Sequence, residues 1–335
     1  MATEAQSGIL VEGDNAAYFA TFMVNYDLLS TDSGRSNFVE SVKQFQRILD
    51  DSSVMYKIMV SGAISFGKKL WTTLTKDNDA LKGTGAELFD FPGYGDKAPA
   101  TQADLYVHIH SKYNGACFDC GNSFVSLFLP GLLTVADDKV GFVWRDSRDL
   151  TGFIDGTENP SGPSDRAEAA LNADGSSYAI VQRFEHNLDK WGKLDVHEQE
   201  SVIGRTKKDS VQLEPLPPGS HVAHSDIDYN GKNVKIVRHS LPYGMPNGVK
   251  GLWFTAYCYF LVGLDEIEKS LFGLRGTESD HLMNYITPVT GGYYFVPSKS
   301  MLLKLCPVCY YTFPAVLYLP PFHSLIAILF FVLSF

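Results

Sequence analysis

An aspartate stands alone in the stretch Gly-Phe-Ile-Asp-Gly-Thr-Glu-Asn-Pro, residues 152–160, with apolar Phe153 and Ile154 before it and a helix-poor run after it. An acid held where a buried strand meets a turn is a candidate proton carrier. Asp-Gly and Asn-Pro are also ordinary turn signals, so on spacing alone Asp155 reads first as part of a loop. A second cluster farther along, from Ser220 to Gly244, weighs against so plain a reading, because it carries His221, His224, Arg238, His239 and Ser240. Arg238 follows Ile236 and Val237 on an expected strand, which aims a fixed positive charge out of an apolar setting. His221 and His224 can each offer a neutral imidazole to a metal, although a structural role is the commoner fate of any single histidine. Their spacing of three suits a helix, and Pro217-Pro218-Gly219 before them with Asp228–Gly231 after leave room only for a short one.

The elements that must position these groups read as two rounds of one grammar. In the first half, strands are expected at 18–25, 56–64, 104–111 and 140–144, with helices at 37–49 and 115–128. In the second, strands fall at 178–184, 235–240 and 252–260, with helices at 195–203 and 265–272. Each half then has a sheet with helices on one side and an uncovered face on the other. Two such faces bury each other, and a ligand is expected in the crevice between them, near Asp155 at the junction. The halves share no obvious sequence identity, so duplication rests on element order.

Composition narrows the function classes. The chain has 335 residues, 45% of them hydrophobic and 20% charged, the profile of an ordinary globular protein of about two domains. A formal net charge of −10, with no basic run longer than Lys68-Lys69 or Lys207-Lys208, argues against a nucleic-acid partner. Five cysteines and the absence of an acceptor Asn-x-Ser/Thr give no sign of a disulfide framework or of glycosylation, and the first residues lack the pattern of a signal peptide. A reducing, cytoplasmic setting is the expectation. The pairs Cys117/Cys120 and Cys306/Cys309 lie too far apart for a usual two-knuckle zinc site. Neither is followed by the histidine that covalent haem attachment requires, since Gly121 and Tyr310 come next.

Four stretches together carry a specific resemblance: 152–160, Val-Ile-Gly-Arg-Thr-Lys at 202–207, Ser-His-Val-Ala-His-Ser-Asp at 220–226, and Ile-Val-Arg-His-Ser-Leu-Pro-Tyr-Gly at 236–244. In this order they resemble the dye-decolourising peroxidases, most closely the bacterial-type intracellular, YfeX-like branch, over residues 7–297. The resemblance implies an α+β fold of duplicated ferredoxin-like domains, of the dimeric α/β barrel type, with antiparallel sheets packed face to face and haem in the crevice. It divides the chain into an N-terminal half at 1–150, a haem-binding half at 151–303, and a hydrophobic tail at 304–335 outside the family pattern.

The resemblance also implies one non-covalent haem b per chain, with His221 as proximal iron ligand, Asp155 as distal acid/base, Arg238 as distal arginine and Ser240 as a distal polar residue. Phe254 matches an aromatic over the distal haem face, Gly156 and Thr157 belong to the cofactor-binding loop, and Arg205 is placed to meet a haem propionate. His224 and His239 are bystanders. The implied activity is reduction of hydrogen peroxide through an oxidised haem, with bulky or small aromatic reductants as one-electron donors. A haem-handling protein that releases iron is the competing reading. A homo-oligomer is expected. From 305 to 335 the chain carries no charged residue, and residues 313–335 are a candidate membrane contact interrupted by Pro314, Pro320 and Pro321.

Overall fold

The computed structural model describes residues 4–13, 15–276 and 278–306; most of the hydrophobic tail, and Cys309 with it, lies outside the described residues. In chain order the strands are β1 (Ala16–Val24), β2 (Val60–Phe66), β3 (Leu105–Ser111), β4 (Leu133–Phe142), β5 (Ser177–His186), the short pair β6 (Asp228–Tyr229) and β7 (Lys232–Asn233), β8 (Val237–Arg238), β9 (Leu241–Gly244), β10 (Lys250–Cys258), β11 (Ile286–Pro288) and β12 (Gly292–Val296). All pairings are antiparallel, and the main path runs β4-β1-β3-β2-β12-β5-β10-β8, with β9 also on β10. Taking β8 and β9 as one strand, each half has the spatial order fourth, first, third, second. This repeated ferredoxin-like order is the duplication that element order alone suggested.

The halves join at a narrow seam where Phe295 of β12 pairs with Phe66 of β2, and the opposite edges, β4 and β9, lie against each other. The curled sheet has an inner and an outer face, and side chains alternate between them with the period of two that a strand imposes. Along β3, Tyr106 points inward, while Leu105, Val107 and Ile109 point out to the helices. The inner faces fill each other: the Phe19 ring stacks on Trp253 at 5.4 Å and on His108 at 4.9 Å. Tyr106 Oη meets Thr255 Oγ1 at 2.6 Å, and His108 Nδ1 meets Tyr257 Oη at 3.0 Å. Burying each such ring contributes about 2–3 kcal/mol, and stacking adds about 1 kcal/mol.

Among the described residues these contacts occupy the space between the two inner faces. The second sheet's outer face bears the candidate residues instead. Arg238 lies directly across from Ala256, and cross-strand partners share a face, so Arg238, Ala256 and Phe254 all stand on the helix side. Gln182, opposite Phe254, stands there too.

Local differences from the expected elements have identifiable causes. One helix was expected over 37–49, but two form, Asp32–Lys43 and Phe45–Tyr56, and the second ends at Lys57 in the left-handed region (φ 54°), so β2 begins only at Val60. β4 starts at Leu133, well before the expected 140, because Asp137, Asp138 and Lys139 conceal its alternation. The strand expected at 235–240 keeps only two residues before an interruption at His239–Ser240, where Ser240 Oγ accepts the Thr255 N–H at 3.4 Å. Cys117 and Cys120 are buried on the helix Asn114–Val125.

The helix Leu261–Leu271 covers the outer face through a buried polar contact, Gln182 Nε2 donating to Glu268 Oε2 at 3.0 Å. Burial pushes the Glu268 carboxyl from 4.5 up to about 8; the Gln182 hydrogen bond opposes the rise and the Asp265 charge adds to it. The folded chain thus keeps a proton that the unfolded chain has released. The stability from this group is complete below pH 4.5 and is lost as pH rises through about 8. Glu268→Gln is expected to leave the melting temperature at pH 4 unchanged and to raise it at pH 9, as differential scanning fluorimetry across pH will show.

Candidate active site

The loop that carries Asp155 is fixed at its base by Arg148. That guanidinium donates to Gly152 O at 2.9 Å and to Lys208 O at 3.0 Å, and the Asp155 N–H reaches Ser147 O at 2.9 Å. Phe153 is buried against Trp191, their ring centroids 6.0 Å apart. The turn foreseen from Asp-Gly is present: Gly156 sits at φ +83°, a conformation that favours glycine, and its N–H bonds to Asp155 Oδ1 at 2.7 Å. Carboxylate and turn are thus one unit.

Asn159 ties this unit to the strand behind it. Its Nδ2 donates to Arg238 O at 2.8 Å, and its Oδ1 accepts the Arg238 N–H at 2.9 Å. One amide satisfies both backbone groups of the residue that presents the candidate cation. The Arg238 guanidinium itself has no hydrogen-bond or ion-pair partner among the described residues. Its alternate neighbour Ser240 faces the same side, with its hydroxyl engaged in the β10 ladder. Phe254 is half-buried and packs edge-on against Phe184, with 6.4 Å between centroids.

Arg205 connects the loop to the histidine. Its guanidinium pairs with Glu158, three residues after Asp155, and donates to Ser210 O at 2.7 Å; Ser210 Oγ in turn lies 3.4 Å from Thr157 Oγ1. The preceding Gly204, at φ +92°, caps the helix Val196–Ile203 and packs so tightly on Ser220 that a Cβ would fall 2.8 Å from its Oγ. Ser220 is the N-cap of the short helix His221–Ser225. Asp155, Arg205, His221 and Arg238 are therefore linked through first-neighbour contacts, although they come from four separate stretches.

His221 Nδ1 lies 2.6 Å from Asp280 Oδ2, and Asp280, itself buried, accepts the Leu282 N–H at 2.8 Å through Oδ1. A carboxylate at Nδ1 holds a proton there, so the neutral ring carries its lone pair at Nε2. Nε2 has no protein partner among the described residues. His224, three residues on, is buried with both ring nitrogens unpartnered. His239 turns into the barrel, its Nε2 2.9 Å from Ile9 O. A histidine nitrogen without a protein partner and an unpaired guanidinium are groups that would suit an iron-bearing macrocycle such as haem.

Two contributors had no sequence signal of their own. Asp280 is 59 residues from its partner, in a segment without periodicity, and only the fold brings it to His221. Asn159 read as the first letter of an Asn-Pro turn, and nothing in one sequence distinguishes a turn asparagine from one that holds a strand.

Comparison with known proteins places this arrangement among relatives. Family models described as Dyp-type peroxidase, N-terminal and C-terminal, match residues 6–143 and 146–301. A dye-decolorizing peroxidase of Mycobacterium tuberculosis is 38% identical over 61% of this chain and 64% of its own length, so the chain spans a little under two thirds of that relative. One from Mycolicibacterium paratuberculosis is 34% identical over 72% of this chain and 71% of its own. Among solved structures, a dye-decolorizing protein from V. cholerae superposes with a TM-score of 0.82 at 36% identity, covering 90% of this chain and 100% of that one. A Rhodococcus jostii RHA1 DypB variant in complex with heme gives a TM-score of 0.81 at 28% identity, covering 90% and 99%. The deferrochelatase of Escherichia coli K12 is 25% identical over 50% of this chain and 48% of its own.

Asn159→Ala leaves two half-buried backbone groups of Arg238 without partners and is expected to cost about 2 kcal/mol of stability, measured by urea unfolding. Asn159→Asp keeps the acceptor but sets a carboxylate oxygen against Arg238 O in place of the donor, and is expected to cost at least as much.

Proposed function

The chain belongs to the Dyp-type peroxidase family, and on that footing we propose that it reduces hydrogen peroxide at one non-covalently bound haem b and draws electrons singly from aromatic donors. The observation that supports this reading is the Asn159 clamp, which joins the Arg238 backbone to the loop that also carries Asp155. A protein that only carried or dismantled haem would need the histidine but not this pair. In the same reading, residues 1–150 act as the supporting half and residues 151–303 as the haem-binding half.

His221 would hold the iron through Nε2, and Phe254 would pack against the macrocycle. Gly156 and Thr157 would border the cofactor from the loop, with Arg205 at its edge; to reach a propionate, Arg205 would exchange or share its Glu158 partner. When bound, the haem supplies the redox chemistry, taking two oxidising equivalents from peroxide and returning them to donors one at a time. Asp155 takes the proton from one peroxide oxygen and delivers it to the other, so that the second leaves as water. Arg238 faces the negative charge that develops on the departing oxygen, an electrostatic contribution among the largest available to an active site. Asp280 holds the His221 ring in one tautomer and makes it the more electron-rich ligand. Ser240 keeps the ladder beside Arg238 in register.

The deciding experiment is an absorption spectrum of the purified protein before and after one equivalent of peroxide. A Soret band that shifts on mixing is the expected result. Asp155→Ala and Arg238→Ala are each expected to slow that shift by about 10²–10³-fold with the haem still bound. His221→Ala is expected to lose haem occupancy, read as the ratio of Soret to protein absorbance. Undiminished turnover in Arg238→Ala would reject its role.

A further inference from the structure

In the N-terminal half, Lys68, Thr72, Thr75 and Lys76 stand three or four residues apart on the helix Lys68–Thr75 and its C-cap, so they form one stripe along it. The turn at 82–85 comes back across that stripe and leaves a pocket of about 210 Å³ between the two. Trp71 fastens the turn, its Nε1 donating to Thr84 O at 3.0 Å. Gly85, at φ +66°, lies so close that a Cβ there would fall 3.0 Å from both the Trp71 and Phe295 rings. The same indole packs on Phe66 and Phe295, with centroids 5.2 and 5.0 Å apart, so the pocket rests on the seam that joins the halves. Lys68, Lys76 and Lys82 line the pocket, and their ammonium groups have no hydrogen-bond or ion-pair partner among the described residues. Among those residues no acid lines it; Asp77, Asp79 and Glu87, the acids of the same stretch, lie outside the lining. Lys68 and Lys69 also open the helix with no acid in its first turn and no capping side chain on Gly67, so cations stand at its positive end. Lys69 turns to the Tyr26 ring at 3.7 Å, and Lys68 has no such partner. In a chain of formal charge −10, three cations gathered with no acid between them favour an anion.

We propose that this pocket binds a phosphate group, as the free anion or as a monoester. A phosphate carries close to two negative charges at neutral pH, enough to answer several ammonium groups, whereas a single carboxylate leaves most of them unmatched. Lysine ammonium groups meet phosphate as compact point charges, and the Thr72 hydroxyl, which makes no other hydrogen bond among the described residues, is a further donor. The N–H groups of Gly83 and Gly85, also on the lining, make no hydrogen bond among the described residues. Because the occupant rests on the folded helix, turn and seam, binding raises the stability of the joined halves by mass action. The binding does not depend on the peroxidase reading.

The test titrates the purified, haem-loaded protein calorimetrically with inorganic phosphate, with glycerol 2-phosphate and with acetate, at neutral pH and constant ionic strength. Phosphate is expected to fill one saturable site per chain about tenfold or more tighter than acetate, and the melting temperature to rise along the same saturation curve. The double variant Lys76→Gln/Lys82→Gln, at two exposed positions, is expected to weaken phosphate by about tenfold or more while the Soret band and the melting temperature without phosphate stay as they were. Thr72→Glu, also at an exposed position, sets a carboxylate in the pocket and is expected to abolish the binding. Glycerol 2-phosphate bound as tightly as phosphate identifies the occupant as a monoester, and its exclusion identifies the free anion; either upholds the site. Phosphate binding that does not saturate, or that survives unchanged in the Lys76/Lys82 variant, overturns the proposal.

Discussion

Everything in this molecule depends on the mutual burial of the two inner sheet faces. Both faces are too apolar to stand in water, and the Phe19–Trp253 stack with the Tyr106–Thr255 and His108–Tyr257 hydrogen bonds closes one face on the other. That closure uses the whole interior. Burial pushes the imidazoles of His108 and His239 well below their ordinary range and that of His110 to about 3, so these rings are packing elements and not proton carriers at neutral pH. The candidate residues Arg238 and Phe254 stand on the outer, helix-covered face of the second sheet.

Much of this was legible in the sequence, and the reasons are local. Asp155 read first as a turn residue and gained weight only beside the second cluster, and Arg238 was marked because a guanidinium ends an apolar strand. Strand positions followed from the sequence pattern where it was unbroken, as in β3, and were cut short where surface charge interrupted it, as in β4. The face on which the site lies was not legible. Two uncovered faces look alike in a pattern of letters, and whether they leave a gap depends on ring sizes at Phe19, Trp253 and Tyr257 meeting across the barrel. Asp280 was hidden for a related reason: a hydrogen bond between distant loops leaves no periodicity behind.

Charge is distributed as unevenly as polarity. Acids dominate the chain, yet the pocket beside the helix Lys68–Thr75 holds three cations without ion-pair partners among the described residues. Within those residues no helix is long and apolar enough to cross a membrane.

The last strand has a consequence for how the protein comes into being. β12 pairs with β5 and touches β2, so it fastens the two halves together, and Asp280 lies only a little before it. During synthesis the N-terminal sheet can form early, and His221 leaves the ribosome well before its carboxylate partner. A ring without that partner is free to take either tautomer. The His221–Asp280 contact can therefore form only after every strand but β11 and β12 has been made.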